Sequence, residues 1–71
     1  MSANNFIFIH KIKDKKRKLF GRFVVTENDA DTGSAYHHIG DYATLEEAAK
    51  AADVYEQGEG YPIEYGISIK I

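Results

Sequence analysis

TLEEAAKAADVYEQG, residues 44–58, is the stretch on which the fold turns. Thr44 can accept from the first-turn amides while Glu47 reaches back to the Thr44 amide, the capping box that opens a helix. Leu45, Ala48, Ala49, Ala52 and Tyr55 follow at helical spacing and share one face. Glu46, Lys50, Asp53 and Gln57 fall on the opposite face, with Glu46 four residues before Lys50 in the favourable order. Val54 projects toward the polar side, and Glu56 intrudes on the apolar arc. Gly58 and Gly60 stop the helix, Gly58 being suited to the left-handed position after the last turn. Pro62 prevents a restart.

On either side of this one helix the pattern is that of strands. Downstream, Ile63, Tyr65, Ile67, Ile69 and Ile71 alternate with Glu64, Gly66, Ser68 and Lys70, a strand with one buried face. Upstream, Met1–Asn5 is polar and expected to fray. Phe6–Ile12 (FIFIHKI) is aromatic and β-branched, which suits a pleated surface. Leu19–Glu27 (LFGRFVVTE) completes a hairpin, with Gly21 marking a bulge or a close backbone approach. Asn28–Ala35 is a run of turn-formers, and Tyr36–Tyr42 is a shorter third strand.

The element order is therefore β-β-β-α-β in a single domain over residues 1–71. The expected class is α+β: a four-stranded, mainly antiparallel sheet with one helix packed on one face. Strand one is apolar on both sides (Phe6 and Phe8 against Ile7 and Ile9), which suits an interior place and gives the order 3-2-1-4. Phe23, Val25, Ile67 and Ile69 are expected to meet the alanine face of the helix. One helix covers one face only, so apolar surface at Phe6, Phe8 and Phe20 is expected to remain open for a protein partner or a second copy of the chain.

Charge is distributed unevenly. The formal net charge is −2, yet residues 1–22 hold seven of the nine basic residues and one acidic residue. Cysteine is absent, which excludes disulfides and thiolate metal sites. Phe6–Ile9 is far shorter than a membrane span, and no signal-peptide pattern occurs. A soluble, cytoplasmic protein without membrane contact is expected.

The segment IGDYATLEEAAKAAD, residues 39–53, resembles the strand-to-helix junction of AP2-type DNA-binding domains. The matching positions are Ile39, Gly40, Tyr42, Thr44, Glu46, Glu47, Ala48 and Ala49, with Asp53 further on. The resemblance implies a three-stranded sheet that enters the major groove, with arginine and tryptophan on the strands reading the bases. Here tryptophan is absent, and Arg22 is the one arginine in the expected strands.

The candidate nucleic-acid contacts are Lys11, Lys13, Lys15, Lys16, Arg17, Lys18 and Arg22, which would neutralise phosphates in a salt-dependent way. Lysines at a turn also simply keep a hairpin soluble. His37 and His38 are neighbours in a strand, point to opposite faces and cannot readily share one ion, and a His10–His38 pair across the sheet would need further ligands, so no metal or cofactor is expected. Asp29–Gly33 departs from the calcium-loop template, and Asp31-Thr32-Gly33-Ser34 lacks the flanking strands of an aspartic protease, so both read as a turn. No nucleophile-with-base spacing or phosphate loop is present, and the expectation is a binding module, not an enzyme. The alternative to nucleic-acid binding is a protein-binding regulator or phage-type inhibitor that uses the open sheet face or the acidic helix face.

Overall fold

Alternating apolar residues on β1 and β2 set the sheet and its buried side. The computed structural model describes residues 4–58 and 63–71. In it β1 (Asn5–Lys11) pairs antiparallel with β2 (Phe23–Asp29), and β2 pairs antiparallel with β3 (Ala35–Tyr42). Helix α1 (Leu45–Gly58) follows, and β4 (Ile67–Lys70) lies parallel to β1, Ile7 beside Ile67 and Ile9 beside Ile69. The order is β3-β2-β1-β4, as the doubly apolar β1 implied.

Odd-numbered residues of β1 and β2 face the helix. Ile7, Ile9 and Val25 are fully buried there with Ala48 and Ala52, and Phe23, Leu45 and Ile63 pack around them. The alanines bring α1 close enough for the strand side chains to fill the gap. Each fully buried isoleucine or valine contributes about 1.5–3 kcal/mol. At the helix start, Thr44 Oγ1 accepts the Glu47 N–H at 3.2 Å. The Thr44 hydroxyl in turn donates to Glu47 Oε1 at 3.1 Å, so the carboxylate holds the hydroxyl instead of the expected amide.

Several boundaries differ from expectation. β2 starts at Phe23, not Leu19, because the chain before it runs through successive turns: Arg17 N–H to the Asp14 carbonyl, Phe20 to Arg17, and Arg22 to Leu19. Gly21 lies in these turns at φ +84°, and its N–H bonds the Ile12 carbonyl at 2.8 Å; it is not a bulge within a strand. Asn5 is not frayed. It opens β1 at 1% exposure and anchors the far end of the chain, accepting Tyr65 N–H at its carbonyl and Glu64 N–H at its side chain. Gly58 is the last helical residue and does not adopt the left-handed conformation, while Gly60 and Pro62 lie outside the described residues.

β3 contains two register shifts. Val25 opposes Gly40 and Thr26 opposes His38, leaving Ile39 extra; Glu27 opposes His37 and Asn28 opposes Ala35, leaving Tyr36 extra. Each bulge admits two neighbouring residues to one face. Ile39 thereby reaches the core, and Tyr36 joins His37 on the helix side.

The fourth strand departs most. Gly66 at φ +75° interrupts the expected run, so that Ile63 packs on the core and only Ile67–Lys70 is strand. α1 packs on β3, β2 and β1. Ile67 and Ile69, expected in the core, share the face of Ile7 and Ile9 but lie beyond the helix, 38% and 50% exposed.

Candidate nucleic-acid interface

Even-numbered residues of β1 occupy the sheet face away from α1. Phe6, Phe8 and His10 form a ladder there: the two phenyl rings meet edge to face at 6.3 Å, and His10 stacks on Phe8 at 5.1 Å. All three are partly exposed. Val24, Thr26 and Asn28 of β2 lie buried beside them, with Thr26 Oγ1 donating to Asn28 Oδ1 at 2.6 Å. Phe20 belongs to no strand. It sits in the turns before β2, 49% exposed, and stacks with no ring among the described residues. Of the expected patch, Phe6 and Phe8 meet ring to ring, and no ring contact among the described residues joins Phe20 to them.

The basic residues divide into three kinds. Lys13, Lys15, Lys16, Arg17 and Lys18 are exposed in the β1–β2 loop and make no salt bridge among the described residues. Asp14, the acid within that run, is engaged in shaping it: its side chain accepts the Lys16 N–H at 3.0 Å. Lys11, at the end of β1, lies over the Phe23 ring at 5.6 Å. Arg22 is committed to Asp41, its Nε 2.6 Å from Oδ1 and its Nη2 donating to the Asp41 carbonyl at 3.1 Å.

The ladder and the loop meet in a hollow of about 310 Å³ lined by Phe8, His10, Lys11, Lys13, Lys70 and Ile71. Burial, with the Arg17 charge nearby, pushes the His10 pKa below its ordinary value. His10 thus presents a mainly neutral ring at pH 7, its Nδ1 buried without a hydrogen-bond partner among the described residues. The hollow is lined by two aromatic rings and three lysines together with Ile71. Such a combination suits a nucleobase and its phosphate.

Apart from Asp14 in the loop and Asp41, which holds Arg22, the main acidic residues are placed elsewhere. Glu46, Glu47 and Asp53 belong to α1 on the other side of the sheet, and Asp29 and Asp31 lie at the β2–β3 connection, the opposite strand end from the basic loop. His37 and His38 point to opposite faces as expected, toward Glu27 and Thr26 respectively.

One cluster escaped the sequence reading. Glu27, 3% exposed, faces the helix side and accepts Asn5 Nδ2 at 2.6 Å, Tyr55 OH at 2.6 Å and Tyr36 OH. Burial pushes its carboxyl up, but the two phenols and the amide outweigh that and hold its pKa below the ordinary value. The same bond, with burial, raises the Tyr55 phenol to about 12. The signal was the shared parity of Phe23, Val25 and Glu27, which places a carboxylate on the buried side of β2. A second groove, about 560 Å³, runs between α1 and β3 past Ile39, Tyr42, Val54 and Tyr55, with Glu47 and Lys50 among its walls.

No protein-family model matches the chain, and neither a curated protein nor a solved structure matches it. No helix among the described residues is long and apolar enough to cross a membrane.

Proposed function

We propose that the protein is a non-catalytic nucleic-acid-binding module whose basic loop takes phosphates while the Phe6–Phe8–His10 ladder stacks against bases. The observation that carries this reading is the convergence of ladder and cations in the hollow beneath Lys13 and Lys70. Stacking on such a ladder is worth about 1–3 kcal/mol per base and tolerates any sequence. The AP2-type resemblance agrees in using the strand surface. It differs in the readers, since Arg22 is engaged by Asp41 and the ladder is phenyl and imidazole. A single strand is favoured over a duplex, because paired bases keep their flat faces inside the stack.

Fluorescence anisotropy of a labelled single-stranded oligonucleotide and of its duplex, each across a salt series, tests this. Affinity should fall as salt rises, with a slope of about −0.7 per phosphate contacted by single strands. Absence of binding at low salt removes the proposal. A second reading, a protein-binding regulator, draws on the apolar groove between α1 and β3 with its charged walls. It gains support if oligonucleotides fail to bind.

A further inference from the structure

The largest apolar exposure is neither on the ladder nor in the basic loop. Seven large hydrophobic residues are exposed among the described residues, and four of them fall within Tyr65–Ile71: Tyr65 at 61%, Ile67 at 38%, Ile69 at 50% and Ile71 at 57%. This strip lies on β4, at the edge of the sheet.

The backbone of that edge has a definite parity. Ile7 N–H bonds the Gly66 carbonyl at 2.9 Å. In a parallel ladder alternate residues turn both backbone groups to the same neighbour. Gly66, Ser68 and Lys70 therefore address β1, and the N–H and C=O of Ile67 and Ile69 point away from the sheet. The residues with outward backbone groups are the same ones that carry uncovered isoleucine side chains.

We infer that β4 joins two copies of this chain, the strands running antiparallel about a two-fold axis at Ile69, to give one continuous eight-stranded sheet. In this register Ile69 meets Ile69 of the second copy and Ile67 meets Ile71, each as a mutually hydrogen-bonded pair. The isoleucines of both strands then share one face, in contact. On the other face Lys70, the charged residue of β4, falls opposite Ser68 of the second copy and not opposite its own counterpart. Like charges directly opposed would destabilise the pair. A two-fold contact requires such a self-complementary surface. The ladder lies on the other face of the sheet, but Lys70 and Ile71 belong both to this joint and to the hollow of the proposed nucleic-acid surface.

Sedimentation equilibrium from micromolar to millimolar protein should give the mass of two chains at high concentration. Ile69→Lys, at a half-exposed position, should give the mass of one chain with an unchanged far-ultraviolet circular dichroism spectrum. Amide hydrogen exchange on the unaltered chain provides a second measurement that needs no variant. Ile67 and Ile69 N–H should become more protected as concentration rises, while Ser68 N–H stays protected throughout. A single-chain mass at every concentration overturns the inference. So does a dimer that persists in folded Ile69→Lys, or protection of Ile67 and Ile69 that ignores concentration.

Discussion

Glu27 shows how one buried charge can tie a small domain together. Its two oxygens collect donors from β1, β3 and α1, and Asn5, one of those donors, also fastens the segment leading into β4. Replacing Glu27 by Gln keeps the shape but sets an amide N–H against groups that are already donors. Leaving buried donors unsatisfied costs about 1–3 kcal/mol each. Glu27→Gln should therefore lower the denaturant midpoint clearly, measured by urea unfolding. The pH dependence follows from the lowered Glu27 pKa. A depressed carboxyl contributes stability above its unfolded value, about 4.3, and loses it as pH falls through the folded value. Tyr55 works in the other direction. Its folded pKa is raised to about 12 from an ordinary 10.0, so its contribution is complete below 10 and fades as pH rises toward 12. Unfolding free energy measured against pH should show both losses, and Glu27→Gln should flatten both.

At the scale of elements, the glycines separate pattern from geometry. Gly58 sits at a helical φ with open space around its missing side chain. Gly58→Ala should stabilise the chain by about 0.5–1 kcal/mol. Gly66 also has open space, but at φ +75°. Gly66→Ala should cost about 1–2 kcal/mol from backbone strain alone, and thermal unfolding of the two variants should shift in opposite directions. Gly40 is different again, because a methyl group there would fall 2.6 Å from the Tyr42 hydroxyl and displace the ring from its place over the strand. The helix, its buried face and the strand order were legible in the sequence because capping, a 3.6-residue period and a doubly apolar β1 each point one way. The β3 bulges were not. Period two assumes an unbroken ladder, and nothing in YHHIG announces that Tyr36 and Ile39 are the extra residues. The limits of β4 were hidden for a related reason, since alternation runs through Gly66 although the backbone does not.

For the molecule as a whole, the main basic and acidic clusters are set apart. Five loop cations, without acidic partners among the described residues, stand at one end of the strands, and the helix acids lie across the sheet from the ladder. The triple variant Lys15→Ala, Lys16→Ala, Arg17→Ala should reduce the salt slope of single-strand binding by about 2 without altering the fold. Phe8→Leu keeps apolar bulk but removes the flat π face, and should weaken binding by about 1–3 kcal/mol while leaving the salt slope unchanged. The clustering of lysines was visible in the sequence. The withdrawal of Arg22 by Asp41 was not, because nineteen residues separate the two and only the β2–β3 pairing brings them together.

The two borders of the sheet are not equivalent. On β3, the displaced residues at Tyr36 and Ile39 break the even spacing that a docking strand would need to follow. If β4 pairs with a second copy as inferred, lateral growth would have one growing end per molecule, and two molecules that met there would consume both. On the inferred pairing assembly would stop at the first step, and the irregular β3 border would offer a further chain no regular edge to extend.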